Sequence, residues 1–436
     1  MIRKFIHSML GSGKKSAAGK LRVIPASAHN IRPEDLSDCA LRVVRTLHEA
    51  GFKTYVVGGA VRDLLLEISP KDFDVATDAT PDEVRRLIRR SRIIGRRFQI
   101  VHAICHDEVV EVSTFRGTAN DDDKQQTDEH GRITRDNVFG SIEEDAARRD
   151  FTINALFYDP IRNEILDYFN GVADIRARRL RMIGDPPTRY REDPVRLLRA
   201  VRFSAKLGFD LDKTTRAPVK KMADLLLNVP ESRLFEEVLK LLLSGHALSC
   251  IERLRAEGLH HDLLPLLDGI LALPQGKKFI EQALENTDQR IRDEKPVSPG
   301  FLFAALLWYP LIENWAARKA ANERPMPALF EAMTDVLEAQ RKSLAIPRRL
   351  DAVIKEIWAL QPRFDQRSGQ RPVRLLEHPR FRAAYDFMLL RADSGEVDQS
   401  VADWWTDFQQ VDVEDRESLL VEETKPAPRT RRRRRR

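Results

Sequence analysis

Two aspartates separated by one residue, Asp72-Phe73-Asp74, follow soon after a double glycine and an arginine, Gly58-Gly59-Ala60-Val61-Arg62. On a strand, residues two apart point to one face. Both carboxylates then aim the same way, while Phe73 turns toward a core. Such a pair suits a hard divalent cation such as Mg2+. The glycines let the main chain approach a bulky anion, because no Cβ intervenes. A helix start behind them offers N–H groups and the positive end of a dipole, and Arg62 adds a planar fork for phosphate oxygens. Metal beside triphosphate is the arrangement for in-line phosphoryl or nucleotidyl transfer. Singly the features are ordinary, a turn and two solvated carboxylates; their order and spacing carry the signal.

The stretch Tyr55-Val56-Val57-Gly58-Gly59-Ala60-Val61-Arg62-Asp63, followed by Pro70-Lys71-Asp72-Phe73-Asp74-Val75-Ala76-Thr77, resembles the class II nucleotidyltransferases: bacterial poly(A) polymerases and tRNA CCA-adding enzymes. The resemblance implies a polymerase-β-like head that adds nucleotides to an RNA 3′ end without a template. Asp72 and Asp74 would hold two Mg2+ ions, and ATP would lie along Gly58, Gly59 and Arg62.

Two later stretches resemble further motifs of that superfamily. Arg148-Arg149-Asp150-Phe151-Thr152-Ile153-Asn154 would line the nucleotide site. Arg148 or Arg149 would neutralise triphosphate charge. Asp150 would be a third catalytic carboxylate, or would hold the arginines by hydrogen bonds. Without the family match these residues read first as a helix with an internal Asp–Arg network. Glu192-Asp193-Pro194-Val195-Arg196-Leu197-Leu198-Arg199 resembles the nucleotide-recognition motif. A carboxylate accepts from the adenine N6 amine while a guanidinium donates to N1, so side chains replace a template base. The resemblance gives this task to Asp193 and Arg196, with Arg199 in support. The plain reading of the same face is an ion-pair ladder at about 0.2–0.5 kcal/mol per pair. Glu111 is either a further metal carboxylate or an exposed alternating residue. Basic residues in Gly95-Arg96-Arg97-Phe98 and Phe115-Arg116-Gly117 sit at strand ends, where they meet phosphate or solvent.

These residues need a scaffold. The pattern predicts a helix from Arg32 to Ala50, with Leu36, Ala40, Val43, Val44 and Leu47 on one face. Strands follow at 54–58, 73–77, 98–105 and 108–115, with a short helix at 82–90 and a strand at 165–168. Residues 118–136 are polar and aperiodic, a loop able to close over substrate. One amphipathic helix is expected through 189–203, with Leu198, Val201 and Ala205 toward a core. Beyond residue 208 the pattern is helical. The expected class is α+β: a small mixed sheet with helices, then an all-α neck and body. The divisions are a loose basic segment at 1–30, a head at 31–175, a base-reading neck at 176–260, a helical RNA-binding body at 261–410 and an arginine-rich tail at 411–436. In the body Lys342, Arg348, Arg349, Arg371, Arg374, Arg380 and Arg382 either hold RNA or are solvated charges. Trp404-Trp405 either stacks on bases or, more simply, packs against the last helices.

Charge is unevenly placed. The net charge is +6, yet residues 424–436 carry eight positive charges and residues 1–22 six, with no acid in either. The remainder is near −8, so a nucleic-acid groove on the body is a local patch and the tails supply general attraction. Cys39, Cys105 and Cys250 have no zinc or redox spacing and read as free thiols of a reducing cytoplasm. No apolar run suits a stable membrane span. The resemblance to bacterial poly(A) polymerases continues through Phe301-Leu302-Phe303-Ala304-Ala305, Trp308-Tyr309-Pro310, Leu344-Ala345-Ile346-Pro347 and Leu376-Glu377-His378-Pro379, over residues 40–410 and the basic end. It implies polyadenylation of single-stranded RNA 3′ ends, with RNA-decay machinery as a partner. A CCA-adding enzyme shares the motifs. A catalytically inactive RNA-binding adaptor is the reading that intact Asp72, Asp74 and Arg62 oppose.

Overall fold

Short β-branched runs bounded by glycine, proline or aspartate become the strands of one eight-stranded sheet. The computed structural model describes residues 19–95, 99–106, 108–117, 126–127, 133–135, 139–261, 263–264, 267–412 and 414–421. Arg96, Arg97 and Phe98, most of the 118–136 loop, and the basic ends lie outside them. The chain divides into two units, the first ending at Asn228 and the second beginning at Val229.

In the first unit the elements run β1 (Arg22–Pro25), α1 (Asp38–Glu49), β2 (Thr54–Val57), α2 (Gly59–Leu65), β3 (Asp74–Thr77), α3 (Pro81–Leu87), β4 (Ser91–Ile94), β5 (Ile100–Cys105), β6 (Glu108–Thr114), β7 (Gln126–Thr127), β8 (Ile133–Arg135), α4 (Ile142–Arg148), β9 (Leu156–Asp159), β10 (Glu164–Asp167), α5 (Gly171–Arg176), β11 (Arg179–Leu180), α6 (Pro186–Glu192), α7 (Val195–Leu207), β12 (Asp210–Leu211) and α8 (Lys213–Arg216). The sheet order is β1-β10-β9-β2-β3-β6-β5-β4. Its neighbours are antiparallel except β3 and β6, which are parallel. Parallel strands need a crossover, and α3, β4 and β5 supply it. Val43, Val44 and Leu47 of α1 are buried against β2, β3, β5 and β6. Each such side chain contributes about 1.5–3 kcal/mol.

Local chemistry changes several expected boundaries. Pro33–Asp35 is a separate 3-10 turn, and the Ser37 side chain accepts from Ala40 N, so α1 starts at Asp38 rather than near Arg32. Arg22–Pro25, expected in a loose segment, pairs with β10 from Arg22↔Asp167 to Pro25↔Glu164. A proline at an edge-strand end breaks no ladder. β4 was not anticipated; it pairs with β5. β3 begins at Asp74, which leaves Asp72 just ahead of it. The helix expected through 189–203 is two helices, with Asp193 extended between them at φ −149°, ψ 91°. Proline disfavours a helical residue before it and lacks an N–H, and Pro194 therefore ends α6 and opens α7.

The cysteine reading is also corrected. Cys39, in the first turn of α1, forms a disulfide with Cys105 at the end of β5, with Cα atoms 5.8 Å apart. The partners are 66 residues apart in sequence, so only the packing of α1 on β5 reveals them. Cys250 lies outside the disulfide, buried, with its Sγ 3.6 Å from the Ser244 hydroxyl.

The second unit is helical: α9 (Glu231–Leu242), α10 (Ala247–Ala256), α11 (Leu267–Ala272), α12 (Pro274–Arg292), α13 (Pro299–Leu306), α14 (Trp308–Ala320), α15 (Pro325–Arg341), α16 (Arg348–Leu360), α17 (Arg371–Leu376), α18 (Phe381–Asp393) and α19 (Gln399–Gln410). Trp308, Trp358 and Trp405 are fully buried. Trp358 donates to the Ala304 carbonyl at 3.0 Å and Trp405 to that of Phe364 at 2.9 Å. Trp404 stacks on Phe408, so the tryptophan pair packs the end of the bundle. The seven basic body residues named above are exposed; Arg380 pairs with Glu356 and Arg382 with Asp386. Among the described residues no helix is long and apolar enough to cross a membrane.

Candidate nucleotide-binding and catalytic site

Strand register brings the glycine pair to the carboxylates. Val57, the last residue of β2, lies opposite Asp74, the first of β3. Gly58 follows at once, with φ +72° and ψ −123°, a conformation open to glycine. On its other side Asp74 is level with Glu111 of β6. Asp72 and Asp74 are exposed and Phe73 between them is buried, so burial alternates as expected although Asp72 lies ahead of β3 rather than on it.

Asp74 is open to solvent along one edge, yet protein crowds the rest. That loss of water, then the charges of Glu111 and Asp72, push its carboxyl up to about 6, while Arg149 pulls the other way. Negative charge is thus concentrated and incompletely offset, and a cation relieves it. Among the described residues no group of three or more His, Cys, Asp or Glu is placed to hold a metal ion. Two carboxylates still fit a hard cation that completes its shell with water and phosphate oxygens. Glu111 itself stands 3.4 Å from His102.

Asp150 has a different environment. Its Oδ1 accepts from Phe151 N at 2.8 Å and Asn154 Nδ2 at 3.0 Å, and its Oδ2 from Arg199 Nε at 2.7 Å. Burial works to raise its pKa, but the Arg199 charge and these bonds hold it below the usual carboxylate range. Asn154 also accepts from Arg62 Nη1 at 2.6 Å, and Arg62 pairs with Asp63. A relay Asp63–Arg62–Asn154–Asp150–Arg199 therefore runs behind the site. Phe203 backs it, with the guanidiniums of Arg62 and Arg199 each 5.2 Å from its centroid. The fork of Arg62, expected at phosphate, is buried and bonded to protein in this relay.

Arginines of the other stretches gather nearby. Arg149 binds Asp145 through Nη2 at 3.0 Å and the Asn154 carbonyl through Nη1 at 3.3 Å. Arg148 donates to the Gly117 carbonyl at 2.6 Å. Loss of water, then Arg116, Arg189 and Arg196, lower its pKa to about 10 against the opposing charge of Glu192. The guanidiniums of Arg116, Arg148, Arg189 and Arg196 outnumber the carboxylates of Asp145, Asp150 and Glu192 that act on them, which leaves a positive field suited to a polyanion. Arg196 Nη1 donates to the Arg189 carbonyl at 2.9 Å and to Glu192 Oε2 at 3.2 Å. Asp193, in the break between α6 and α7, accepts from Arg196 N through its carbonyl.

The sequence-derived candidates thus form two linked clusters, Gly58, Gly59, Asp72 and Asp74 on one side and Arg148, Arg149, Asp150, Asp193, Arg196 and Arg199 on the other, with Arg62 and Asn154 joining them. Asn154 stands in the motif expected to line the site but without a role of its own, and Asp145 and Arg189 are not among the expected site residues. The i,i+4 spacings Asp150–Asn154 and Asp145–Arg149 were signals for two of them. The i,i+3 spacing signals the Arg189–Glu192 pair, but nothing local signals its bonds to the Arg148 and Arg149 carbonyls.

Comparison with known proteins adds a family context. The profile described as "Poly A polymerase head domain" matches residues 54–181. "Probable RNA and SrmB- binding site of polymerase A" matches 208–271, and "Polymerase A arginine-rich C-terminus" matches 321–436. Poly(A) polymerase I of Salmonella typhi is 46% identical over 428 residues, 94% of this chain and 91% of that protein. The Haemophilus influenzae poly(A) polymerase I is 43% identical, over 93% and 92%. A CCA-adding enzyme of Bacillus velezensis is 40% identical, but over 53% of this chain and 56% of that one. Among solved structures, the Bacillus stearothermophilus CCA-adding enzyme in complex with CTP aligns with TM-score 0.55 and 26% identity, over 85% and 81% of the chains.

Proposed function

The chain belongs to the poly(A) polymerase I family, and from that membership we propose how its site carries out template-independent addition of AMP from ATP to RNA 3′ ends. The observation that carries the reading is the Val57↔Asp74 register, which sets the Gly58 turn beside the carboxylate pair. The triphosphate lies against Gly58 and Gly59 with Arg148 and Arg149 as countercharges. Helix α2 has seven residues, so backbone approach at the glycines matters more than its dipole. Asp193 and Arg196 read the adenine edge. Arg199 fixes Asp150, whose bonds to Asn154 and Arg199 suit a supporting role. Arg62 acts from behind, through Asn154.

Asp72 and Asp74 are the residues to hold divalent cations, with Mg2+ the proposed ion. A divalent ion held by Asp72 and Asp74 would supply a lowered pKa for the attacking 3′-hydroxyl and charge stabilisation for the departing pyrophosphate. The protein's own part is to hold both carboxylates toward one face, keep cations opposite the phosphates and exclude other bases.

The helical stretch from residue 208, the exposed basic residues of the body and the arginine-rich end are proposed to hold the RNA strand. A cytoplasmic location and contact with RNA-decay machinery complete the reading.

The test supplies Mg2+, each nucleoside triphosphate singly and then CTP with ATP, to an unstructured RNA and to a tRNA lacking its CCA end. Long tails on the unstructured RNA with ATP alone are expected. Addition that stops after C, C and A, on the tRNA only, would make it a CCA-adding enzyme. RNA binding without incorporation would make it an adaptor.

A further inference from the structure

The side chains proposed to meet the triphosphate and those proposed to read the base stand on different helices, and one residue spans them. Arg189 belongs to α6, and its side chain keeps only 14% of its surface. Its Nη2 donates to the Arg148 carbonyl at 2.6 Å and the Arg149 carbonyl at 2.7 Å. These oxygens belong to the C-terminal end of α4, where a helix leaves carbonyls without internal partners. Its Nη1 donates to Glu192 Oε2 at 2.9 Å. That same carboxylate oxygen accepts from Arg196 Nη1 at 3.2 Å, and the Arg189 carbonyl accepts from it at 2.9 Å. One guanidinium, its own carbonyl and one carboxylate therefore tie the end of α4 to the first turn of α7.

We propose that Arg189, with Glu192, is a positioning residue for nucleotide choice: it fixes where Arg196 stands relative to Arg148 and Arg149. This rests on the base-reading assignment of Arg196 made above. The arrangement suits that task better than simple capping. Three guanidiniums, those of Arg148, Arg189 and Arg196, are held close together although they repel. Arg189 Nε is buried with no hydrogen-bond partner among the described residues. Neither feature adds stability, since like charges repel and a buried donor without a partner costs free energy. The fork geometry is specific as well: two carbonyls on one nitrogen and a carboxylate on the other suit a rigid planar group, and the point charge of lysine cannot reproduce them.

The experiment compares wild type, Arg189→Lys, Arg189→Ala and Glu192→Gln. It measures kcat and KM for ATP and for CTP on an unstructured RNA, with melting temperature alongside. Arg189→Lys is expected to raise KM for ATP by about 10-fold with a smaller change in kcat, and to reduce the preference for ATP over CTP to a similar degree. Glu192→Gln moves both quantities the same way and less far. Glu192 is 40% exposed, so it decides the matter if Arg189→Ala does not fold. Unchanged preference in both Arg189→Lys and Glu192→Gln overturns the inference. So does an equal loss with both nucleotides, which is the mark of general destabilisation. A wild type that does not extend RNA with ATP removes the underlying reading, and the inference falls with it; a wild type that does, beside an indifferent Arg189→Lys, sinks the inference alone.

Discussion

Gly58 and Arg149 stand so close that a Cβ on the glycine would lie 3.0 Å from the Arg149 Nη1. The contact joins the turn after β2 to the arginine that stacks 5.1 Å from the centroid of Phe157 and pairs with Asp145. Gly58→Ala therefore meets two obstacles, a positive φ and a displaced guanidinium. We expect a loss of about 1–3 kcal/mol, read as a lower melting temperature of the head, together with weaker ATP binding. A variant that melts and binds like wild type would show that the turn adapts freely.

Asp74→Asn should reduce nucleotide incorporation more than about 100-fold, since loss of a mere outer partner of a metal ligand already costs 10–100-fold. Its effect on stability has the opposite sign. The folded carboxyl titrates at about 6, above the ordinary value, so the native state binds the proton more tightly than the unfolded chain. Metal-free wild type then loses stability at this site as pH rises from 4 toward 6. In EDTA, Asp74→Asn should melt higher than wild type at pH 7 and show no such advantage at pH 4. Equal melting at both values would mean that the charge is already compensated.

Asp150 has the reverse sign. Its folded pKa is depressed by Arg199 and by hydrogen bonds, so its contribution is complete above the ordinary carboxylate pKa and disappears as pH falls through the folded value. Asp150→Asn should cost about 1.5–3 kcal/mol at pH 7, the scale of hydrogen bonds to a charged group. The difference from wild type should close below about pH 4. Parallel acid-unfolding curves for the two proteins would contradict this.

Thiol counting tests the disulfide. Denatured without reductant, the protein should present one reactive thiol, Cys250; after reduction it should present three. Oxidation should add about 2–4 kcal/mol to head stability. Three thiols in protein purified without reductant would mean that Cys39 and Cys105 do not pair.

The order and sense of the signals explain what sequence could reveal. The Gly58-Gly59 turn, the opposite aims of Phe73 and its flanking aspartates, and the buried stripe of α1 are set by neighbours within a few residues, so period and turn chemistry expose them. β1 and β4 are short and gain their partners only in the sheet. The break at Asp193 was legible from Pro194, but the continuous apolar spacing beyond it favoured one helix. Arg62 looked like a phosphate ligand because its type and place suit one; its burial against Asn154 depends on a residue 92 positions away. The Cys39–Cys105 pair and Arg189 are likewise products of long-range packing.

The relay from Asp63 to Arg199 also bears on where the head could be cut. Arg62 meets Asn154 across 92 residues, and Asp150 meets Arg199 across a further 49. Both contacts lie within the unit that ends at Asn228. A boundary drawn at residue 181, where the head-domain match stops, would remove α7, and with it the Arg199 countercharge of Asp150 and the Phe203 ring behind Arg62. The smallest portable form of the site is therefore the whole first unit, not its sheet alone.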